Sequence, residues 1–240
     1  MNKEKLLYEN SKHALQSDNI IAITNRHLCS RPFMEQLERV CKLHPHAIVL
    51  REKDMPEAEY LSLARDVIAL CKKYDVQCML HSFINVAMEL EHPYIHLPLP
   101  ILEDYVKKNV SGNIFTGMPK STDNYQQFFK VIGTSVHSVE DAIKAEQLGA
   151  TYMTAGHIFA TDCKKGLPPR GLDFLKNVCD AVGIPVYAIG GINIASSDDS
   201  TASDAPSAYD AMPDISVPRL ADVMKCGAAG GCIMSGMMRV

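Results

Sequence analysis

KVIGTSVHSVEDAIKAEQLGATYMTA, residues 130–155, carries two β-rich runs separated by one helical pattern. Lys130–Ser135 and Thr151–Ala155 are rich in β-branched and aromatic residues and read as strands. Between them, Ser138-Val139-Glu140-Asp141 puts a hydroxyl at a cap position and acids in the first turn, predicting a helix over Val139–Leu148. A helix leaves no room for a hairpin, so the two strands are joined by a crossover and lie parallel.

The same alternation extends in both directions. Further strands are predicted at Ile20–Thr24, Ala47–Arg51, Val76–Leu80, Tyr94–Leu97, Val186–Ile189 and Gly231–Ser235. Helical patterns fall at Phe33–Leu43, Glu57–Tyr74, Ile84–Glu89, Ile101–Lys108, Leu172–Val182 and Val217–Cys226. Pro56 suits the first turn of the Glu57 helix. Eight strands with about one helix between neighbours predict an α/β fold, a single (β/α)8 TIM barrel over residues 1–240. A doubly wound open sheet is the competing arrangement. Two stretches break the rhythm. Residues 193–216, NIASSDDSTASDAPSAYDAMPDIS, have too little apolar content to order themselves and are expected to form a mobile insertion. Residues 109–127, with the apolar piece Asn113–Thr116, look like a second, shorter one. Little chain follows the eighth strand, and Lys5–Gln16, helical in pattern, is expected to cover the place of a final barrel helix.

Composition narrows the function classes. A 47% hydrophobic, 22% charged chain with net charge −4 supports a large core and shows no basic stripe for nucleic acid. No apolar run reaches membrane-spanning length, and MNKEKLLYENSKH is too polar for a secretory leader. Eight cysteines without a C-x-x-C pair read as buried free thiols of a reducing cytoplasm.

In a barrel the chemistry gathers where the strands end. Arg51 and Lys53, two residues apart, point to the same side of the second strand end and form a candidate anion site; the alternative is pairing with Glu52 or Asp54. Ser135 closes the fifth strand as a pocket candidate. The sixth runs into Gly156-His157-Ile158-Phe159-Ala160-Thr161, followed by Lys164 and Lys165, a loop suited to an anionic ligand. His157, an imidazole at a strand end, is the candidate proton carrier; the bland alternative is a ring that satisfies a loop carbonyl. Gly190-Gly191 and Ser235-Gly236 end the last two strands, where backbone N–H groups reach a phosphate without a Cβ in the way. No His/Cys/Asp cluster has zinc-site spacing.

TNR (24–26), LREKD (50–54), GTSVHSVEDA (133–142), GHIFATDCKKG (156–166), PVYAIGGI (185–192) and IMSG (233–236) together resemble the thiamine phosphate synthase/TenI superfamily, in order and over most of the chain. The resemblance implies a (β/α)8 barrel, usually an oligomer of identical chains, acting on thiamine precursors. Two activities occur in it. The synthase joins a pyrimidine pyrophosphate to a thiazole phosphate and uses Mg²⁺ held by an Asp after the third strand, in an Asn-Asp pair, and another after the fourth, in an HLGQ-x-D pattern. This chain reads His81-Ser82 and His96-Leu97-Pro98-Leu99-Pro100-Ile101 there, without carboxylates. The thiazole tautomerase has histidine where the synthase has proline after the loop glycine, and this chain has His157.

The expectation is therefore an isomerase: a thiazole tautomerase that aromatises a carboxythiazole phosphate. The resemblance makes His157 its acid/base and Gly190, Gly191, Ser235 and Gly236 the phosphate cradle. Arg51, Lys53 or Lys164 would bind the substrate carboxylate, beside Thr161 and Ser135. No metal or other cofactor is expected, Mg²⁺ entering only if the chain is a synthase. The expected partner is the small-molecule thiazole phosphate, with no nucleic acid and no membrane. The alternatives are thiamine phosphate synthase and a non-catalytic phosphate-binding regulatory barrel.

Overall fold

The eight predicted strands are present and close on themselves. A computed structural model of the protein describes residues 19–110, 128–161, 164–194 and 217–240. The Lys5–Gln16 segment, the Asn113–Thr116 piece and residues 195–216 of the expected mobile insertion lie outside these. The strands are β1 (Ile20–Ile23), β2 (Ala47–Leu50), β3 (Gln77–His81), β4 (Tyr94–Pro98), β5 (Val131–Val136), β6 (Tyr152–Gly156), β7 (Val186–Ile189) and β8 (Gly230–Ile233). They form a closed barrel in sequence order, with every pair parallel. The closing pair, Ile21 opposite Cys232 and Ala22 opposite Ile233, rules out the open sheet.

Among the described residues seven α-helices lie in the crossovers: α1 (Phe33–Lys42), α2 (Glu57–Lys73), α3 (Ile84–Glu89), α4 (Leu99–Val110), α5 (Val139–Gln147), α6 (Gly171–Ala181) and α7 (Leu220–Lys225). α2 shows why these segments are helical. Tyr60, Ala64, Val67 and Cys71 recur at helical spacing and are buried, while Glu57 and Glu59 in the first turn and Lys72 and Lys73 in the last complement the helix dipole. Pro56 supplies its start. The Ser138 hydroxyl accepts from Asp141 N at 3.0 Å and caps α5 as the sequence indicates. After β8, residues 235–239 form turns, and among the described residues no helix follows them.

Strand alternation sorts the core into two shells. Ile20, Ala22, Ile48, Leu50, Cys78, Leu80, Ile95, Leu97, Met153, Ala155 and Ala188 face outward and pack with helix residues such as Leu37, Val40, Val67 and Leu102. Burying such a side chain contributes about 1.5–3 kcal/mol. Ile21, Ile23, Ala47, Val49, Met79, Tyr152, Tyr187 and Cys232 fill the barrel interior. In interior register, Gly133 sits opposite Tyr152. A Cβ there would lie 2.2–2.4 Å from the Tyr152 ring, so glycine is what lets the phenol lie across the barrel. Cys41, Cys71, Cys78 and Cys232 are buried; Cys29, Cys179 and Cys226 are half-buried, and all are free thiols.

Candidate active site at the C-terminal rim

The interior is apolar low in the barrel and becomes polar where the strands end. The first polar cluster joins β1 to β2. Glu52 is 2% exposed. It accepts from the Thr24 hydroxyl (2.6 Å), from Arg26 N (3.2 Å to each carboxylate oxygen) and from Arg26 Nη1 (3.0 Å). Arg26 also grips Asp54 through Nη1 (2.8 Å) and Nη2 (2.7 Å), and the His27 ring lies 2.9 Å from Asp54. Arg26, then His27, hold the Asp54 carboxyl well below the usual carboxylate range.

This settles how Arg51 and Lys53 stand. Both neighbouring acids turn to Arg26, on the β1 side, and neither Arg51 nor Lys53 has an ion-pair partner among the described residues. Arg51 follows Leu50, which is in register with Leu80, so Arg51 comes level with His81. Burial, then the charges of Arg51 and Lys164, pull the Lys53 ammonium below its ordinary value, so the three cations share one region.

The second cluster spans β3 to β6. His81 and His96 are in register and their rings stack at 5.6 Å between centroids. Burial, then His96, Arg51 and Lys53, pushes His81 down to about 2; burial, then Arg51 and Lys53, pushes His96 down to about 3, so both are neutral imidazoles near neutrality. His81 Nδ1 is 2.8 Å from the Ser82 hydroxyl. His96 Nδ1 is 2.9 Å from the Tyr152 hydroxyl, and its Nε2 is 2.9 Å from the Ser135 hydroxyl. Burial holds Tyr152 protonated. Thr154 Oγ1 donates to the Ser135 hydroxyl (3.0 Å), so Tyr152, His96, Ser135 and Thr154 form one hydrogen-bonded chain across β4, β5 and β6.

The third cluster is the β6 loop against the β7 turn. Ile158 N donates to Ile189 O (2.8 Å) and Phe159 N to Gly190 O (3.0 Å). A Cβ on Gly190 would meet His157 Cβ at 2.4 Å, and one on Gly191 would meet Ala160 O at 2.5 Å. Both glycines have positive φ as well, 98° and 68°. Gly236, after β8, lies against Ile194 from the β7 loop. Half-buried His157 brings its Nε2 to 3.4 Å from Leu167 O, and Lys164 N donates to Thr161 O at 3.0 Å.

The structure thus brings Arg51 and Lys53 beside His81 and His96, with Lys164 near Lys53, and places Ser135 in the polar interior. Gly190, Gly191, Ser235 and Gly236 lie at the ends of the last two strands. His157 engages its own loop rather than the His96–Ser135 network. The sequence reading passed over the Glu52–Arg26–Asp54 cluster and the role of His96. The signal for both was strand parity: Glu52 is out of phase with Arg51 and Lys53, and His96 is in phase with Tyr94.

Residues 20–111 and 118–208 match the family described as thiamine monophosphate synthase, which is most of the chain. The chain belongs to the thiamine monophosphate synthase family. A protein of Aquifex aeolicus provisionally named thiamine-phosphate synthase 2 is 34% identical over 178 residues, 74% of this chain and 87% of its own. A thiamine-phosphate synthase of Caldanaerobacter subterraneus is 30% identical, over 72% of this chain and 75% of the relative. The solved thiamine phosphate pyrophosphorylase of Pyrococcus furiosus superposes with a TM-score of 0.65 at 26% identity, covering 94% and 89% of the two chains.

These findings overturn the tautomerase expectation and, with it, the isomerase class. The relatives carry the synthase name, that of a transferase. The expectation leaned on one substitution, histidine for proline at 157, and on two missing carboxylates. Similarity to these synthase family members along most of the chain outweighs both.

The place where the synthase pattern puts its metal is occupied here by other side chains. Ser82, where the family pattern has Asp, engages His81 Nδ1. Ile101, at the second Asp position, packs against the core from α4. Nearby acids are committed: Glu52 to Thr24 and Arg26, Asp54 to Arg26 and His27, and Glu103 to Lys144 at 2.7 Å. No group of three His, Cys, Asp or Glu among the described residues is arranged to hold an ion. A hard dication wants several oxygen ligands, and this donor set does not fit one. No helix among the described residues is long and apolar enough to cross a membrane.

Proposed function

We propose that the chain is a thiamine-phosphate synthase, a transferase that joins a pyrimidine pyrophosphate to a thiazole phosphate. The C–O bond between the pyrimidine methylene and the pyrophosphate breaks, and its electron pair leaves with the pyrophosphate. The thiazole ring nitrogen supplies the pair for the new C–N bond, and the product is a thiazolium.

One observation carries this reading. Among the described residues Arg51 and Lys53 have no counter-charge, since Glu52 and Asp54 are held by Arg26, and Lys164 reaches the same region as Lys53. Unpaired cations at a strand-end rim suit a group whose negative charge grows as the bond breaks. Arg51 grips phosphoryl oxygens with its planar fork, and Lys53 and Lys164 add point charges. The Ser135 hydroxyl, held by His96 and Thr154, hydrogen-bonds a substrate oxygen. Gly190, Gly191, Ser235 and Gly236 take the phosphate of the thiazole at the opposite side of the mouth. Thr161 holds the backbone of Lys164, and His157 ties down its loop.

The test is formation of thiamine phosphate by purified protein given both precursors, followed by chromatography with and without Mg²⁺. Product is expected, with the rate falling at least about 100-fold in Lys53→Met, as for loss of one transition-state charge contact. Absence of product under both conditions would refute the reading.

A further inference from the structure

The family's pyrophosphate chemistry uses a dication, yet this chain has rebuilt the place where that ion would sit. We propose that this chain holds the pyrophosphate group without a divalent cation, with Arg51, Lys53 and Lys164 meeting its charge against a wall formed by His81 and His96. The inference rests on the transferase reading for the identity of the anion.

Four features support it. The first Asp of the family's metal pair is Ser82, whose hydroxyl is turned to His81 Nδ1 at 2.8 Å, and the second is Ile101, packed into the core. The imidazoles that face the pocket have little donor capacity left for a metal. His96 spends both ring nitrogens on Tyr152 and Ser135, and His81 spends one on Ser82. The nearby carboxylates, Glu52, Asp54 and Glu103, are all in ion pairs. The strand ends facing the pocket carry cations instead: Arg51 is level with His81 on the neighbouring strand, and Lys53 feels both Arg51 and Lys164. Grouped positive charges without acids repel a dication and attract a polyanion. Neutral imidazoles suit that wall, since they place no negative charge against the anion.

Inorganic pyrophosphate binding to the intact protein, measured by titration calorimetry in EDTA and then in millimolar Mg²⁺, tests this. Binding in EDTA is expected, no tighter once Mg²⁺ is added, with a loss of at least about tenfold in EDTA for Lys53→Met, whose folding is checked by circular dichroism. In parallel, Mn²⁺ titrated into the protein and followed by water proton relaxation is expected to show no bound ion, with or without pyrophosphate. Binding that needs Mg²⁺, or a pyrophosphate-dependent Mn²⁺ site, would overturn the proposal. The two readings fail separately. Metal-independent pyrophosphate binding without coupling activity removes the synthase assignment, whereas coupling that depends on Mg²⁺ keeps it and removes this inference.

Discussion

Replacing Glu52 by alanine tests whether the buried carboxylate fastens β1 to β2. Glu52 accepts from the Thr24 hydroxyl, Arg26 N and Arg26 Nη1 while only 2% exposed. Removing one member of a fully buried ion pair costs about 3–5 kcal/mol, much of it from the stranded partner. Here the stranding is partial. The Arg26 side chain is 27% exposed and keeps both bonds to Asp54, so its charge stays compensated. The Thr24 hydroxyl fares worse: it is 0% exposed and its proton loses its acceptor. One unsatisfied buried donor, one lost charge-assisted bond and a small cavity together give about 3 kcal/mol. The chain has no tryptophan, so urea unfolding at pH 7 is followed by far-ultraviolet circular dichroism. The midpoint should fall with the slope unchanged. Asp54→Ala, at the exposed end of the cluster, should cost a small fraction of that. A Glu52→Ala loss below about 1 kcal/mol, or equal losses for the two variants, would refute the reasoning.

Two further outcomes follow from the polar interior. His81 and His96 have folded values of about 2 and about 3, below the unfolded one, so the unfolded chain takes up protons first as pH falls. Their contribution is complete above about pH 6.5 and is lost on acidification toward the folded values, at up to about 1.4 kcal/mol per pH unit for each ring. The double variant His81→Gln/His96→Gln should therefore flatten the stability profile between pH 6.5 and 5; superimposable acid limbs would contradict the assignment. Gly133→Ala places a methyl 2.2–2.4 Å from the Tyr152 ring and should destabilise by about 1–3 kcal/mol through overpacking. A lowered melting temperature and an altered tyrosine near-ultraviolet signal would show it, and an unchanged melting curve would count against the packing described.

Much of the barrel could be read from the chain because hydrophobic period and length act locally. The β-branched run at 130–135 and the Ser138 cap announce their elements without help from the rest of the molecule. The predicted edges still drifted: Gly231–Ser235 became Gly230–Ile233 and the helix at Ile101 began at Leu99, because ladder bonds and turn geometry fix ends that propensity does not. The short helical turn at Arg26–Leu28 was missed, since its partner Glu52 is remote in sequence. Arg51 and Lys53 were legible as a pair from alternation alone. That Glu52 and Asp54 would be drawn off by Arg26 depends on a contact between two strands, which no single segment encodes. His157 shows the opposite failing: a conspicuous titratable residue at a strand end carried more weight in the sequence than its contact with Leu167 O warrants.

The tight seating of the 157–160 loop on the Gly190-Gly191 turn has an evolutionary corollary. With less than a methyl group's clearance between them, neither segment can drift alone. Any lineage that gains a side chain at 190 or 191 must reshape residues 157–160 in the same step, so these positions should change together or stay fixed together. Diversification of what the mouth of the barrel accepts is thereby channelled away from these two turns.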